Sequence, residues 1–398
     1  MPAVPCSTPR RGARWRAAVC GLLLVIGAWG RADEKPAAFL TEKLVEMDAA
    51  VTLAISEGRC PGGVLWLERR GAAYHRAHGR RAVEPASEPM TEDTIFDAAS
   101  LTKVVATTAA VMKLVEQGKI DLGAAVCRHL PEFLGSGKEA ITIRQLLTHS
   151  SGLRAGLPRS PAWSGTAAAI ALACAEPLPG APGQSYRYSD INFILLGEIV
   201  RRTSGQPLDA FVAAEIFAPL QMTRTCFLPP AEWLPHIAPT ERTADGILRG
   251  VVHDPTARRM GGVAGHAGLF TTAGDLARFA RMLLGRGALE GVRVFRPETV
   301  AAMTSVQSPT GLPARGLGWD IDSPHASPRG NWFPVGSYGH TGWTGVSLWI
   351  DPASETFVLF LSNRNHPTEA GNVGPLRRAL GTLAAEAIPA YPAAGFID

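Results

Sequence analysis

The sequence predicts an α/β chain of the α+β kind: an antiparallel sheet built from N- and C-terminal strands, flanked by helices, with a mostly helical lobe inserted between them. Three observations predict it. Strand-like runs open and close the chain, the middle carries helical periodicity, and 398 residues are enough for a large core arranged as two packed lobes. A hydrophobic content of 46% with 19% charged residues is that of a folded chain, not a disordered one.

Taken in order, Gly63-Val-Leu-Trp-Leu-Glu-Arg69 and Ala72-Ala-Tyr-His-Arg-Ala77 read as two strands joined by a hairpin turn at Arg70-Gly71. The segments 104–117, 142–147, 167–173, 193–202, 208–217 and 274–284 repeat their apolar residues with a helical period. Two further strands, 345–350 and 356–361, are joined through Asp351-Pro352, and a helix over 375–387 follows. One sheet formed by both ends buries these strands most simply, which places a sheet lobe at about 33–100 and 335–398 and a helical lobe at about 101–334. Ligands tend to bind between lobes. Loops rich in Pro and Gly, such as 178–183 and 308–316, mark surface excursions rather than separate domains.

Residues 1–32 stand apart. Arg10, Arg11, Arg14 and Arg16 precede the apolar run 17–29, and Gly30-Arg31-Ala32 offers small residues at both cleavage positions, the order of a secretory signal peptide. An uncleaved anchor is the rival, although a span needs about 20 apolar residues and this run has 13. The expected location is therefore periplasmic or secreted, with membrane contact only through the signal segment if it stays uncleaved. Without residues 1–32 the chain keeps 34 basic against 35 acidic side chains, so its overall charge of +4 belongs to the targeting segment and gives no argument for nucleic acid. Cys60, Cys127, Cys174 and Cys226 match no Cys-x-x-Cys metal pattern, and most are expected to be free and buried.

The chemistry begins in Asp97-Ala-Ala-Ser-Leu-Thr-Lys-Val-Val-Ala-Thr-Thr-Ala-Ala-Val-Met112, which reads as one helix apolar nearly all round, with Lys103 in its opening turns. A helix of that kind lies in a core, so Lys103 is expected to be buried. Either its stem carries the ammonium out to the surface, or burial lowers its pKa so that the neutral amine takes a proton from a neighbouring hydroxyl. Ser100, three residues earlier and at the helix entrance, is that hydroxyl, because i and i+3 side chains share a face. Chance supplies roughly one Ser-x-x-Lys in a chain of this length, so further groups must carry the argument. Tyr188-Ser189-Asp190, just ahead of an apolar helix, offers a loop tyrosine as second proton carrier; a half-buried tyrosine with a capping Asp190 reads equally well. Gly339-His340-Thr341-Gly342-Trp343-Thr344-Gly345 enters a terminal strand, where glycines permit close approach of a substrate backbone or form a bulge.

Together these three sites resemble the serine beta-lactamase and penicillin-binding protein superfamily, most closely its class C-like esterase and DD-peptidase branch, over nearly all of the chain beyond residue 32. Ser100-Leu-Thr-Lys103 resembles its Ser-x-x-Lys motif, Tyr188-Ser-Asp190 its Tyr-x-Asn motif and His340-Thr-Gly342 its Lys-Thr-Gly motif. The segments 141–153 and 268–279 resemble ordinary family sequence as well. The resemblance implies a beta-lactamase/transpeptidase-like fold in which Ser100 attacks a carbonyl and forms an acyl-enzyme, while Lys103 and Tyr188 share the proton work. It implies an oxyanion hole made of the Ser100 N–H and that of Trp343, each donor being worth about 3 kcal/mol of barrier.

Two departures from the family pattern matter. Asp190 stands where many relatives carry Asn, and a carboxylate near Lys103 holds the ammonium charged and opposes its action as base. His340 stands where true beta-lactamases carry Lys, which removes a permanent cation from the site and argues against efficient penicillin hydrolysis. The stretch 249–269 resembles exported esterase-like proteins and muropeptide amidases of cell-wall turnover. Within it, His266 is a candidate substrate neighbour, and the spacing of His253, Asp254 and His266 matches no familiar zinc pattern. His149 reads as a helix-end histidine.

The sequence thus leads to an exported serine hydrolase needing no metal or cofactor, forming an acyl-enzyme on amide or ester bonds of cell-wall peptides or muropeptides, of the DD-carboxypeptidase or muropeptide amidase type. Its partner is a small-molecule or peptide substrate: a cell-wall fragment, an ester or a beta-lactam. Three alternatives stand beside it: a broad carboxylesterase of the same fold, a non-catalytic penicillin- or wall-binding protein, and a metal amidase using His253 and His266.

Overall fold

Strand Thr356–Ser362 is apolar at nearly every position and fully buried, which alternation alone would not demand. The reason is its place in the middle of an eight-stranded antiparallel sheet covered on both faces. In the computed structural model, which describes residues 38–391, this strand pairs on one side with Gly62–Arg69 (Leu65 opposite Phe360) and on the other with Ser347–Asp351 (Leu348 opposite Leu359). The two chain ends therefore meet at the sheet centre, as the sequence predicts. The Arg70-Gly71 turn has positive φ at both residues, 50° and 82°, the conformation that suits the twist of a two-residue hairpin.

Side chains divide by parity. Leu65, Leu67, Trp349, Val358 and Phe360 pack under helices Thr41–Ser56 and Gly374–Glu386, which bring Met47, Val51, Leu376 and Leu380. Val64, Leu348, Ile350, Phe357, Leu359 and Leu361 face the larger core shared with the middle of the chain. Burying one such side chain contributes about 1.5–3 kcal/mol, so a one-residue slip of register is excluded by both cores at once. The sheet edge also takes two short strands from the inserted lobe, Ala314–Arg315, inside the 308–316 stretch expected to be a surface loop, and Asp320–Asp322, and they lead to Tyr338–Thr341.

The middle is mostly helical. Thr142 closes a capping box with Gln145 at the start of Ile143–Leu147, and Gly205 at φ 75° ends Asp190–Ser204. The stretch expected to form one uniform helix from Asp97 differs: a 3₁₀ turn, Ala99–Leu101, opens it, a wide π segment, Lys103–Thr108, follows, and only Ala109–Glu116 is regular α-helix. Such π segments often occur where a side chain must be re-aimed toward a site. A small sheet of Phe96–Asp97, Leu269–Thr271 and Cys226–Phe227 ties the helix entrance to the 261–268 loop. The four cysteines among the described residues are free, Cys60 and Cys174 buried and the other two half-buried. No helix among the described residues is long and apolar enough to cross a membrane. The signal peptide expected at 1–32 lies outside the described residues.

Candidate active site

Ser100 emerges at the helix entrance because the backbone just before it is bent and pinned. Ala99 adopts φ 44°, a conformation that disfavours a side chain, and its N–H donates to Asp97 Oδ1 at 2.8 Å. The other oxygen of Asp97 accepts the His253 N–H at 2.7 Å, and the Asp97 carbonyl accepts the Thr344 hydroxyl at 2.7 Å. Burial pushes the Asp97 carboxyl up, against those two backbone donors. One buried residue, by its carboxylate and its carbonyl, thereby ties together the turn before Ser100, the 253 loop and the turn that follows Gly342. Sequence reasoning passed over Asp97, although it begins the stretch that holds the Ser-x-x-Lys spacing.

Lys103 is fully buried, as expected, and does not reach the surface. Its Nζ donates to Ser100 Oγ at 3.0 Å and to the His266 carbonyl at 3.0 Å, and it lies 2.8 Å from Asp190 Oδ1. It also sits over the Tyr188 and Phe193 rings, 5.0 and 5.8 Å from their centroids. Burial, the largest single influence, pushes the Lys103 pKa down, but Asp190 and Tyr188 together outweigh it and hold the amine above its ordinary value. The expectation that burial leaves a neutral amine is therefore overturned in the resting protein: Lys103 is an ammonium, as the Asp190 departure foretold.

The close approach of the 266 carbonyl depends on glycine. Gly265 lies against the backbone of Asp190–Ser204, where any Cβ would run into the Phe193 carbonyl, and its own carbonyl accepts the Thr107 hydroxyl at 2.6 Å. The His266 ring itself is buried, its Nε2 paired with Asp254 Oδ1 at 2.9 Å. Burial raises the Asp254 carboxyl, yet the adjoining His266 prevails and holds it well below the usual range. His266 thus faces Asp254 with its ring and offers Lys103 its backbone.

The opposite wall comes from the sheet. Tyr188 stands 6.0 Å from His340 between ring centroids, and His325 lies 5.3 Å from Tyr188. His340 is buried, with Nδ1 at 2.8 Å from the Thr341 carbonyl. Burial, then the positive charges of Arg315 and Lys103, push His340 well below its ordinary pKa; partial desolvation and Arg315 lower that of His325, which stays in contact with solvent. These imidazoles are neutral at working pH, so neither replaces the permanent cation. Gly342 abuts the nucleophile's turn, where an added Cβ would lie 2.7 Å from the Ala98 carbonyl. The next residue, Trp343, exposes its ring and donates Nε1–H to Glu369 at 2.6 Å, with the Arg364 guanidinium 4.6 Å from its centroid.

Ser100, Lys103, Tyr188, Asp190, His266, His340, Thr341 and Gly342 thus converge on one region. His149, read from the sequence as a helix-end histidine, lies just past helix Ile143–Leu147 and also joins them: its ring stacks on Tyr188 at 4.4 Å. Among the described residues two groups offer clustered metal-ligating atoms, Asp190, Asp254 and His266, and, separately, Glu241, His253 and Glu369. In the first the Lys103 ammonium already faces Asp190; in the second His253 Nε2 lies 3.2 and 3.4 Å from the two carboxylates. The trio His253, Asp254 and His266 considered from the sequence is therefore divided between two places. What the first region can do chemically is acyl transfer: a hydroxyl at hydrogen-bond distance from a buried ammonium, an aromatic hydroxyl beside it, and N–H groups at a bent turn and a strand end.

Residues 40–383 match the Beta-lactamase family. A relative from Escherichia coli (strain K12) named "Putative D-alanyl-D-alanine carboxypeptidase" is 33% identical over 372 residues, covering 83% of this chain and 84% of that one. The N-acetylmuramyl-L-alanine amidase of Bacillus subtilis (strain 168) is 34% identical over 394 residues, covering 86% of each. The solved structure of a class C beta-lactamase shares the fold with a TM-score of 0.71 at 21% identity, over 87% of this chain and 96% of that one. With the family matched from the first helix to the last and the surroundings of Ser100 arranged for acyl transfer, the chain belongs to the beta-lactamase family and is a serine hydrolase.

Proposed function

We propose that the protein is an exported amidase of cell-wall muropeptides that forms an acyl-enzyme at Ser100. The observation that carries the acyl-enzyme is the position of Lys103 Nζ, 3.0 Å from Ser100 Oγ in a buried site. Because Asp190 keeps that group an ammonium, Lys103 acts by charge: it balances the negative charge of Tyr188 in the phenolate form that accepts the serine proton, and then the charge that develops on Ser100 Oγ as that proton leaves. Tyr188 takes the serine proton and returns it to the leaving amine; water then enters by the same route and hydrolyses the acyl-enzyme. The N–H groups of Ser100 and Trp343 hold the oxyanion.

The choice of bond rests on charge. A carboxypeptidase or penicillin hydrolase must hold a substrate carboxylate, and at the family's cation position this chain has His340, kept neutral by burial and by Arg315. An internal amide, such as that joining a lactyl ether to a peptide, brings no such carboxylate. The likeness to the Bacillus subtilis amidase supports this reading. The basic and apolar segments at residues 10–29 support export to the periplasm or beyond.

Incubation with a mixed muropeptide digest, followed by mass spectrometry beside the Ser100→Ala variant, tests the reading. Release of intact peptide from muramic acid is the expected result. Loss of a single terminal alanine would instead make the protein a carboxypeptidase, and turnover of short esters alone would make it a carboxylesterase. Binding without turnover by the parent would leave a wall-binding protein.

A further inference from the structure

His149 follows helix Ile143–Leu147 at φ 57°, a left-handed conformation uncommon for residues other than glycine. Its contacts account for that conformation. The His149 carbonyl accepts the Arg187 N–H at 2.9 Å, and its Nδ1 accepts the Ser189 N–H at 3.1 Å, so one residue is bonded to the chain on both sides of Tyr188. Between those two bonds the imidazole stacks on the Tyr188 ring, 4.4 Å between centroids and 29° between planes. Phe193 closes on the same ring at 5.2 Å, and Tyr186 meets it edge-on at 6.4 Å. Nε2, buried, has no partner among the described residues, which leaves the Tyr188 segment as the destination of the side chain's polar contacts.

We propose that His149 is the positioning residue for Tyr188: its carbonyl, Nδ1 and ring face bracket the 187–189 segment and hold the phenol against Lys103. The proposal rests on the reading above in which Tyr188 carries the proton. Accepting the Ser189 N–H requires a bare Nδ1, so the ring is neutral with its proton on Nε2. The charged and titratable groups around it, Arg315, Lys103, His340 and His325, together with burial as the leading cause, oppose a second proton. The clamp therefore holds throughout the working range and does not open as the pH falls toward 6. A misplacement of about 1 Å in a proton carrier costs about 100-fold in rate.

The test uses turnover of p-nitrophenyl acetate by the whole protein. His149→Asn keeps an acceptor near the Nδ1 position and tolerates positive φ, but lacks the stacking ring; His149→Phe keeps the ring and strands the Ser189 N–H. Both should lower kcat, by about 10-fold for Asn and more for Phe, with KM changed less than about two-fold. Leu146→Ala, a buried change in the preceding helix, should lower Tm without lowering kcat in this way. The decisive measurement is the His149→Asn/Tyr188→Phe pair. If His149 acts through Tyr188, His149→Asn changes nothing further once the phenol is gone. Should the two losses multiply, or should Leu146→Ala reproduce the kcat loss, the positioning role is overturned. A Tyr188→Phe variant with full activity would instead overturn the proton-carrier reading itself. If Tyr188→Phe leaves no measurable rate, the alkaline limb of the kcat profile decides: moved in His149→Asn it supports the clamp, unmoved it refutes it.

Discussion

Asp190→Asn is the substitution that most directly tests what Lys103 does. Two unit charges 2.8 Å apart attract by about 6 kcal/mol at an effective dielectric of about 20. The Asp190 side chain is 33% exposed, and solvent there screens roughly half of the attraction or more, leaving about 2–3 kcal/mol. Losing that attraction moves the Lys103 titration to lower pH in the variant. Burial, now unopposed by the carboxylate, acts in the same direction. In the parent, kcat/KM for an activated ester should hold level to about pH 10, because the ammonium persists. In Asp190→Asn a falling alkaline limb should enter that range, since raising the pH then removes the charge the oxyanion and phenolate depend on. The profile is read by spectrophotometry at constant ionic strength, with Tm recorded at each pH. A rising limb that moves to lower pH would show that the neutral amine is the active form. Two superimposable profiles would show that Asp190 exerts no hold on Lys103; either result refutes the argument.

Gly265→Ala should destabilise the protein by about 2–4 kcal/mol, measured by denaturant unfolding, because the new methyl meets the Phe193 carbonyl and displaces the loop whose carbonyls hold Thr107 and Lys103. His340 and His149 have folded pKa values depressed below their unfolded ones, so their stability contribution is present above about pH 6.5 and is lost as the pH falls through lower values, by up to about 1.4 kcal/mol per pH unit for each imidazole. His340→Gln should flatten that acid loss in denaturation series at pH 5 and 7.5, while leaving the neutral-pH value within about 1 kcal/mol. A chelator should leave hydrolysis unchanged, since the Lys103 ammonium already faces Asp190 in the cluster beside the nucleophile; inhibition reversed by added zinc would contradict this.

The sequence made some of this legible and concealed the rest for physical reasons. Local patterns did well where the period reports burial: the two terminal hairpins, the helix beginning at Asp190 and the burial of Lys103 all follow from apolar spacing. Motif order placed Ser100, Tyr188 and His340 in a single site because each lies at the start or end of an element, where backbone geometry and side-chain chemistry coincide. The π segment at Lys103–Thr108 was hidden, since one wider turn leaves the apolar pattern of the helix intact. Strands Ala314–Arg315 and Asp320–Asp322 are too short to show a period. His149 and Asp97 were hidden in another way: both work through backbone N–H and carbonyl groups of distant segments, and no side-chain spacing records such contacts.

The charges around the nucleophile also connect the fold to the choice of substrate. Lys103 is the cation that touches Ser100, and Asp190 neutralises it; Asp254 adds a carboxylate that His266 holds ionised. On the opposite wall, burial and Arg315 keep His149 and His340 neutral, and Arg315 itself is fully buried beside Asp320 at 3.4 Å. An entering carboxylate meets a lysine already paired with Asp190 and imidazoles that resist protonation, so no free cation of this site is offered to it, whereas a neutral amide needs none. The Asn-to-Asp and Lys-to-His departures therefore act in one direction. On the proposed reading, the first keeps Lys103 charged for the transition state and the second withdraws the anchor for a free carboxylate, so that both would favour internal amides over chain-terminal acids.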